Sequence, residues 1–262
     1  MRLTVVGCGT VVPEADRACS SYYIEHGTAR ILVDCGPGAV QALARLNLPW
    51  PELTHLFITH FHSDHVGALP GLFFALRHGI HPPRVEEPLA VYGPPGTRRL
   101  FRGLSDVLGD FLTDPGFPVT VTDVVPGTEV RAGDVRVGAR DVPHTPESIA
   151  LRFDVEEGCL VYTGDTGPDE ALIEFSRGAQ VLVAECSLPD ELVGDNHLSP
   201  TRVARLAERA RAARLVVTHV YPQFRESADV LHLIHAAGYA GPKDLAREGL
   251  RIDIGGSDPP SA

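Results

Sequence analysis

The densest chemistry in the chain lies in Leu56–Leu72, LFITHFHSDHVGALPGL. An apolar, β-branched run passes there straight into His60-Phe61-His62-Ser63-Asp64-His65 before helical periodicity begins. Three histidines and one aspartate in six residues offer borderline nitrogen and hard oxygen donors, the mixture that suits zinc or iron. One ion cannot easily use all four. His60 and His62, two apart, point the same way if the extended geometry continues, while Asp64 and His65 turn away as the chain bends. That favours two ions side by side, each completed by ligands from elsewhere. The chain supplies them: His144 follows the strand-like run Val135–Val142, Asp165 sits in Tyr162-Thr163-Gly164-Asp165, and His219 closes Leu215-Val216-Val217-Thr218-His219. All three stand immediately past a predicted strand, where open α/β sheets tend to build their sites.

The elements that must carry these residues alternate. Periodicity predicts strands at Leu3–Val6, Tyr22–Glu25, Arg30–Val33, His55–Thr59 and Leu89–Tyr92, with helices at Ala39–Leu46, Ala68–Leu76 and Thr97–Phe111. Further strands follow at Val119–Val124, Val135–Val142, Ile149–Val155 and Cys159–Tyr162. Then helix and strand alternate: helix Asp169–Ser176, strand Val181–Ala184, helix Thr201–Arg211, strand Leu215–Thr218 and helix Ala228–Ala237. Two β-rich halves with helices outside them make a layered α/β sandwich. With no low-complexity linker, residues 1–262 read as one domain, its end from Gly255 to Ala262 a frayed tail.

Composition narrows the function. A chain with 44% hydrophobic and 22% charged residues builds a globular core rather than a disordered or coiled-coil assembly. A formal net charge of −11 argues against broad nucleic-acid binding, which relies on a positive surface releasing counterions. No apolar stretch approaches the roughly 20 residues of a membrane-spanning helix. The opening MRLTVVGCGTVV lacks the pattern of a signal peptide, and the five cysteines form no CxxC pair. A cytoplasmic location is expected.

Other chemistry-bearing residues have blander readings. His26, His55, His78 and His81 lack ligand spacing, and His232 and His235 form an ordinary helical pair. Cys186 suits a buried apolar position. Gly7-Cys8-Gly9 reads as a tight turn, since neither GxGxxG nor GKS/T is present. Arg98, Arg99 and Arg102, and again Arg202, Arg205 and Arg209, could hold a substrate phosphate, but a solvated helix face is the commoner fate of such residues.

The run HFHSDH resembles the HxHxDH signature of the metallo-β-lactamase superfamily, and His144, Asp165 and His219 fall in the order of that family's later metal motifs. The resemblance spans nearly the whole chain, from GCGTVVP to VVTHVYPQF. It implies a four-layer αββα sandwich of two β-sheets flanked by helices. By resemblance, His60, His62 and His144 would hold one metal, Asp64, His65 and His219 the other, with Asp165 bridging them. Zinc is the first choice, with manganese or iron as alternatives. The implied reaction is hydrolysis by a hydroxide bridging two ions.

Within the superfamily the ribonuclease Z-like phosphodiesterases are most similar. FITHFHSDHVGALPGL, the AECS run containing Glu185, and Asn196-His197-Leu198-Ser199 carry the likeness. It marks Asp64 as a reaction residue as well as a ligand, and gives Glu185 and His197 a part in proton transfer to the leaving group. A histidine that donates near neutral pH and a carboxylate that orients it make physical sense. Against these roles, Asn196–Ser199 could simply cap the following helix, and Glu185 could be a structural carboxylate paired to an arginine. The sequence also departs from ribonuclease Z. Only 20 residues separate His144 from Asp165, too few for the arm that grips transfer RNA, and Pro37 stands where a glutamate is typical. The expected substrate is therefore a small or cyclic phosphodiester rather than transfer RNA, and by resemblance the protein forms a homodimer. The alternatives are a lactone or thioester hydrolase on the same metals, a metal-binding protein without turnover, and iron-dependent redox chemistry, for which no flavin companion domain is present.

Overall fold

The computed structural model describes residues 1–224 and 227–255; apart from Gly255, the expected tail lies outside the described residues. The first half builds strands β1 (Arg2–Gly7), β2 (Ser21–His26), β3 (Ala29–Val33), β4 (His55–Phe57), β5 (Leu89–Gly93) and β6 (Val119–Asp123). The second builds β7 (Glu129–Ala132), β8 (Val135–Asp141), β9 (Ile149–Val155), β10 (Gly158–Tyr162), β11 (Val181–Glu185), β12 (Leu215–Thr218) and β13 (Lys243–Leu245). A last strand, β14 (Arg251–Asp253), returns to the first sheet. The sheet orders are β14-β1-β2-β3-β4-β5-β6 and β13-β12-β11-β10-β9-β8-β7. Each sheet runs antiparallel at first and parallel later: β1 to β3 and β7 to β10 pair antiparallel, while β3 to β6 and β10 to β13 pair parallel.

Helices α1 (Ala39–Arg45), α2 (Ser63–Val66), α3 (Leu69–His78) and α4 (Thr97–Leu108) belong to the first half, and α5 (Glu170–Phe175), α6 (Pro200–Ala210) and α7 (Ser227–Ala236) to the second. The period-2 alternation of the strands creates the layers. In β9, Ile149, Leu151 and Phe153 enter the core between the sheets, whereas Ala150 enters the core beneath the outer helices. The same holds for Val181 and Val183 against Leu182 and Ala184 in β11. On the opposite sheet, Ile31 and Val33 face inward while Leu32 meets α1 and α3 residues such as Leu43 and Leu72. Phe57 and Phe153 lock the two sheets edge to face, with ring centroids 5.7 Å apart. This is the expected αββα sandwich.

The differences from expectation are local. The strand expected at His55–Thr59 ends at Phe57, because the Thr59 amide bonds the Asp34 carboxylate at 2.8 Å rather than a neighbouring strand. The helix expected to reach Phe111 stops at Leu108, where Gly109 adopts φ +109° and a short 3-10 turn follows at Asp110–Leu112.

Candidate metal centre

Every residue of the candidate site stands at the end of a strand or in the segment that follows it. His60 and His62 follow β4, and His62 is the N-cap of the single-turn helix α2, which carries Asp64 and His65. His144 follows β8, Asp165 follows β10, Glu185 ends β11, His197 lies ahead of α6, and His219 follows β12. Alternation explains Glu185: it shares the inward parity of Val181 and Val183 and therefore points between the sheets, at 0% exposure. His219 departs from alternation, with φ +53°, a left-handed conformation that costs a non-glycine residue strain and turns its ring into the cleft.

Two groups of donor atoms result. His60, His62, His144 and Asp165 form one and Asp64, His65 and His219 the other, the donor atoms within each lying no more than 4.8 Å apart. Asp165 reaches both. Its Oδ2 is 3.9 Å from His60 Nε2, 3.8 Å from His144 Nε2 and 3.5 Å from His219 Nε2, and its Oδ1 is 3.4 Å from His65 Nε2. His219 Nε2 is also 3.2 Å from Asp64 Oδ2.

The residues fit metal ions on three grounds. First, His60 Nε2, His65 Nε2 and Asp165 Oδ1 are buried without a hydrogen-bond partner. Orphaned polar atoms of this kind cost about 1–3 kcal/mol each unless something else satisfies them. Second, the outer nitrogens are held. His65 Nδ1 donates to Asp34 at 2.7 Å and His144 Nδ1 to the Asn196 carbonyl at 2.9 Å, while Thr59 Oγ1 lies 3.1 Å from His60 Nδ1 and Ser187 Oγ 3.1 Å from His219 Nδ1. Such partners fix the tautomer and leave Nε2 free to ligate. Third, the protonation states of His60 and Asp165 suit ligation, whereas, against the cost of burial, Asp165 and Asp34 raise His65 well above the usual histidine range. Burial, reinforced by the neighbouring imidazoles, keeps His60 neutral far below the usual histidine range. Against the cost of burial, His219, His65 and His60 hold the Asp165 carboxyl well below the usual carboxylate range.

Beside these groups, His197 packs its ring 4.7 Å from that of His144. Its Nδ1 donates to Glu185 Oε1 at 2.8 Å. Glu185 further accepts the Thr166 amide at 2.8 Å, the Ser187 amide at 3.2 Å and the Ser187 hydroxyl at 2.5 Å. Burial works against protonation of His197, yet the hydrogen bond and charge of Glu185, with Asp165 and Asp64 adding to them, carry its pKa above the ordinary imidazole value. The arginine partner considered for Glu185 is replaced by a histidine and two amides. The same segment does supply the N-cap of α6, at Ser199, although that hydroxyl bonds Asp190 rather than a helix amide, while the His197 ring bonds Glu185.

Sequence reasoning missed Asp34, which follows β3 in LVDC. Fully buried at φ +56°, it bonds Thr59, His65 and the Tyr162 hydroxyl, and so ties β3, β4 and β10 to the donor groups. The rule that found Asp165, an acid directly after an apolar strand, would have found it. Elsewhere, Arg205 and Arg209 pair with Glu170 on the surface, His232 and His235 are exposed, and Cys186 is buried with its thiol pushed well up by burial.

Comparison with known proteins agrees with this geometry. The family model for the metallo-β-lactamase superfamily matches residues 15–219. An uncharacterized protein of Mycobacterium leprae is 33% identical over 97% of this chain and 89% of its own length. Ribonuclease Z of Haloferax volcanii is 28% identical over 97% of this chain and 95% of its own. Among solved structures, the metallo-β-lactamase fold protein YhfI from Bacillus subtilis superposes with a TM-score of 0.82 at 25% identity, covering 96% of this chain and 98% of that one. Fold, donor groups and sequence together place the chain in the metallo-β-lactamase superfamily of metal-dependent hydrolases.

Proposed function

We propose that the chain is a binuclear phosphodiesterase acting on small or cyclic phosphodiesters. The observation that carries this reading is the His197–Glu185 pair set against two donor groups that share Asp165. His60, His62 and His144 would hold one ion, Asp64, His65 and His219 the second, with Asp165 shared; the imidazole-rich set suits zinc, with manganese or iron as alternatives. Two such ions, when bound, acidify a water and polarise the ester oxygens.

The chain's own residues supply the proton. His197 commits its Nδ1–H to Glu185, so a proton on Nε2 is the one available to the leaving oxygen. Glu185, held by the Thr166 and Ser187 amides, fixes the ring and compensates its charge. Asp64, buried with its Oδ2 3.2 Å from His219 Nε2, completes the second donor group.

Substrate size follows from what lies between His144 and Asp165. Those residues are spent on β9 and β10, which belong to the sheet. The alignment with the Haloferax ribonuclease Z runs over 311 positions for a chain of 262 residues, so that relative carries segments this chain lacks. The reading is tested with zinc-loaded protein on bis(p-nitrophenyl) phosphate beside a simple lactone. Phosphodiester turnover supports it. Lactone turnover alone would transfer the chain to carbonyl esters.

A further inference from the structure

We propose that Arg202 is a positioning residue for the proton-transfer step: it clasps the loop that carries His197 and, through the same loop, braces His144. The proposal rests on the reading of His197 as the acid. Arg202 opens the arginine row of α6, but it is half-buried and its side chain differs from those of the exposed Arg205 and Arg209, which reach Glu170. The Arg202 guanidinium Nη1 donates to the carbonyls of Gly194 at 2.5 Å and His197 at 2.9 Å, and its Nη2 lies 3.7 Å from the Asp195 carboxylate. Three contacts, to Gly194, Asp195 and His197, fasten the loop to the helix that follows it.

The fastened segment has two tasks at once. Asn196 offers its carbonyl to His144 Nδ1 at 2.9 Å, and His197 next to it presents its ring to Glu185. The opposite side of the loop is equally constrained. A Cβ on Gly167 would lie 1.8 Å from the Asp195 carbonyl, so the segment after Asp165 can approach the loop only as glycine. The loop is therefore held between Gly167 and the Arg202 fork, and Leu198 anchors its end in the outer core. An arginine suits this task better than a lysine, because its planar fork carries several donors in fixed directions.

The test compares wild type, Arg202→Met, Arg202→Lys, Arg205→Met and His197→Ala, all zinc-loaded, on bis(p-nitrophenyl) phosphate and on diphenyl phosphate. The second substrate has the poorer leaving group and depends more on protonation of the departing oxygen. Loss of a positioned acid should lower kcat for diphenyl phosphate by about tenfold or more, while the p-nitrophenyl ester changes by no more than about threefold. Arg202→Met is expected to show this selective loss, Arg202→Lys to recover part of it, and Arg205→Met to match wild type. Backbone amides of residues 194–198 should exchange hydrogen faster in Arg202→Met than in Arg205→Met. A selective loss in His197→Ala that is absent from a folded Arg202→Met would overturn the proposal, as would unchanged exchange. No selective loss in His197→Ala would instead overturn the acid role itself, leaving the exchange measurement to decide the clasp. If Arg202→Met does not fold, Gly167→Ala, which presses on the loop from the other side, should give the same substrate-selective loss; equal loss on both esters would count against the proposal.

Discussion

His197 is poised between two opposing influences. Burial disfavours its charge, and Glu185 with the carboxylates of the donor groups more than restores it, so the acid form persists above the usual imidazole range. An acid acts only while protonated, so the rate should fall as pH rises through that raised pKa. In Glu185→Gln the main stabiliser of the imidazolium is gone while burial remains, and the alkaline limb should move to lower pH. The kcat profile on diphenyl phosphate checks this; a limb that stays put or moves to higher pH refutes the pairing. Asp34 gives a second prediction. Asp34→Asn removes the charge that fixes His65, and metal affinity should weaken about 10- to 100-fold, measured by competition with a chelator. Unchanged affinity would mean that His65 needs no partner.

At the scale of elements, the longer strands are legible because five to seven residues of regular alternation leave little ambiguity. Ile149–Val155 and Val181–Glu185 alternate between two cores, and the second ends at the site on Glu185. The three-residue strands β13 and β14 and the four-residue helix α2 carry too few residues for a period to register, and their existence depends on tertiary pairing. Likewise the metal-donor types could be read from the strand ends, whereas the positive φ of Asp34 and His219 could not, because only the finished packing imposes it. Phe57 and Phe153 join the two sheets in the core between them. Phe153→Ala should destabilise the fold by about 3–5 kcal/mol, since it leaves a cavity between the sheets. Chemical denaturation measures this; a loss under about 1 kcal/mol would show that the sheets collapse to refill the space.

Across the whole molecule, two similar halves each place ligands beyond the ends of interior strands, and β14 pairs with β1 so that the last described strand closes the first sheet. No helix among the described residues is long and apolar enough to cross a membrane. The net charge of −11 and the short His144–Asp165 segment argue together for a small substrate. Precursor transfer RNA should be neither retained in a gel-shift assay at physiological salt nor cleaved, whereas specific 3′ processing would show that the arm is dispensable here. If Asp165 unites two metal ions in one hydrolytic centre, as proposed, zinc content by mass spectrometry beside phosphodiester turnover in wild type and Asp165→Ala tests it most directly. Two ions per wild-type chain, with both metal and turnover lost in a folded variant, is the predicted result. A variant that keeps its full metal and its activity would contradict the shared centre.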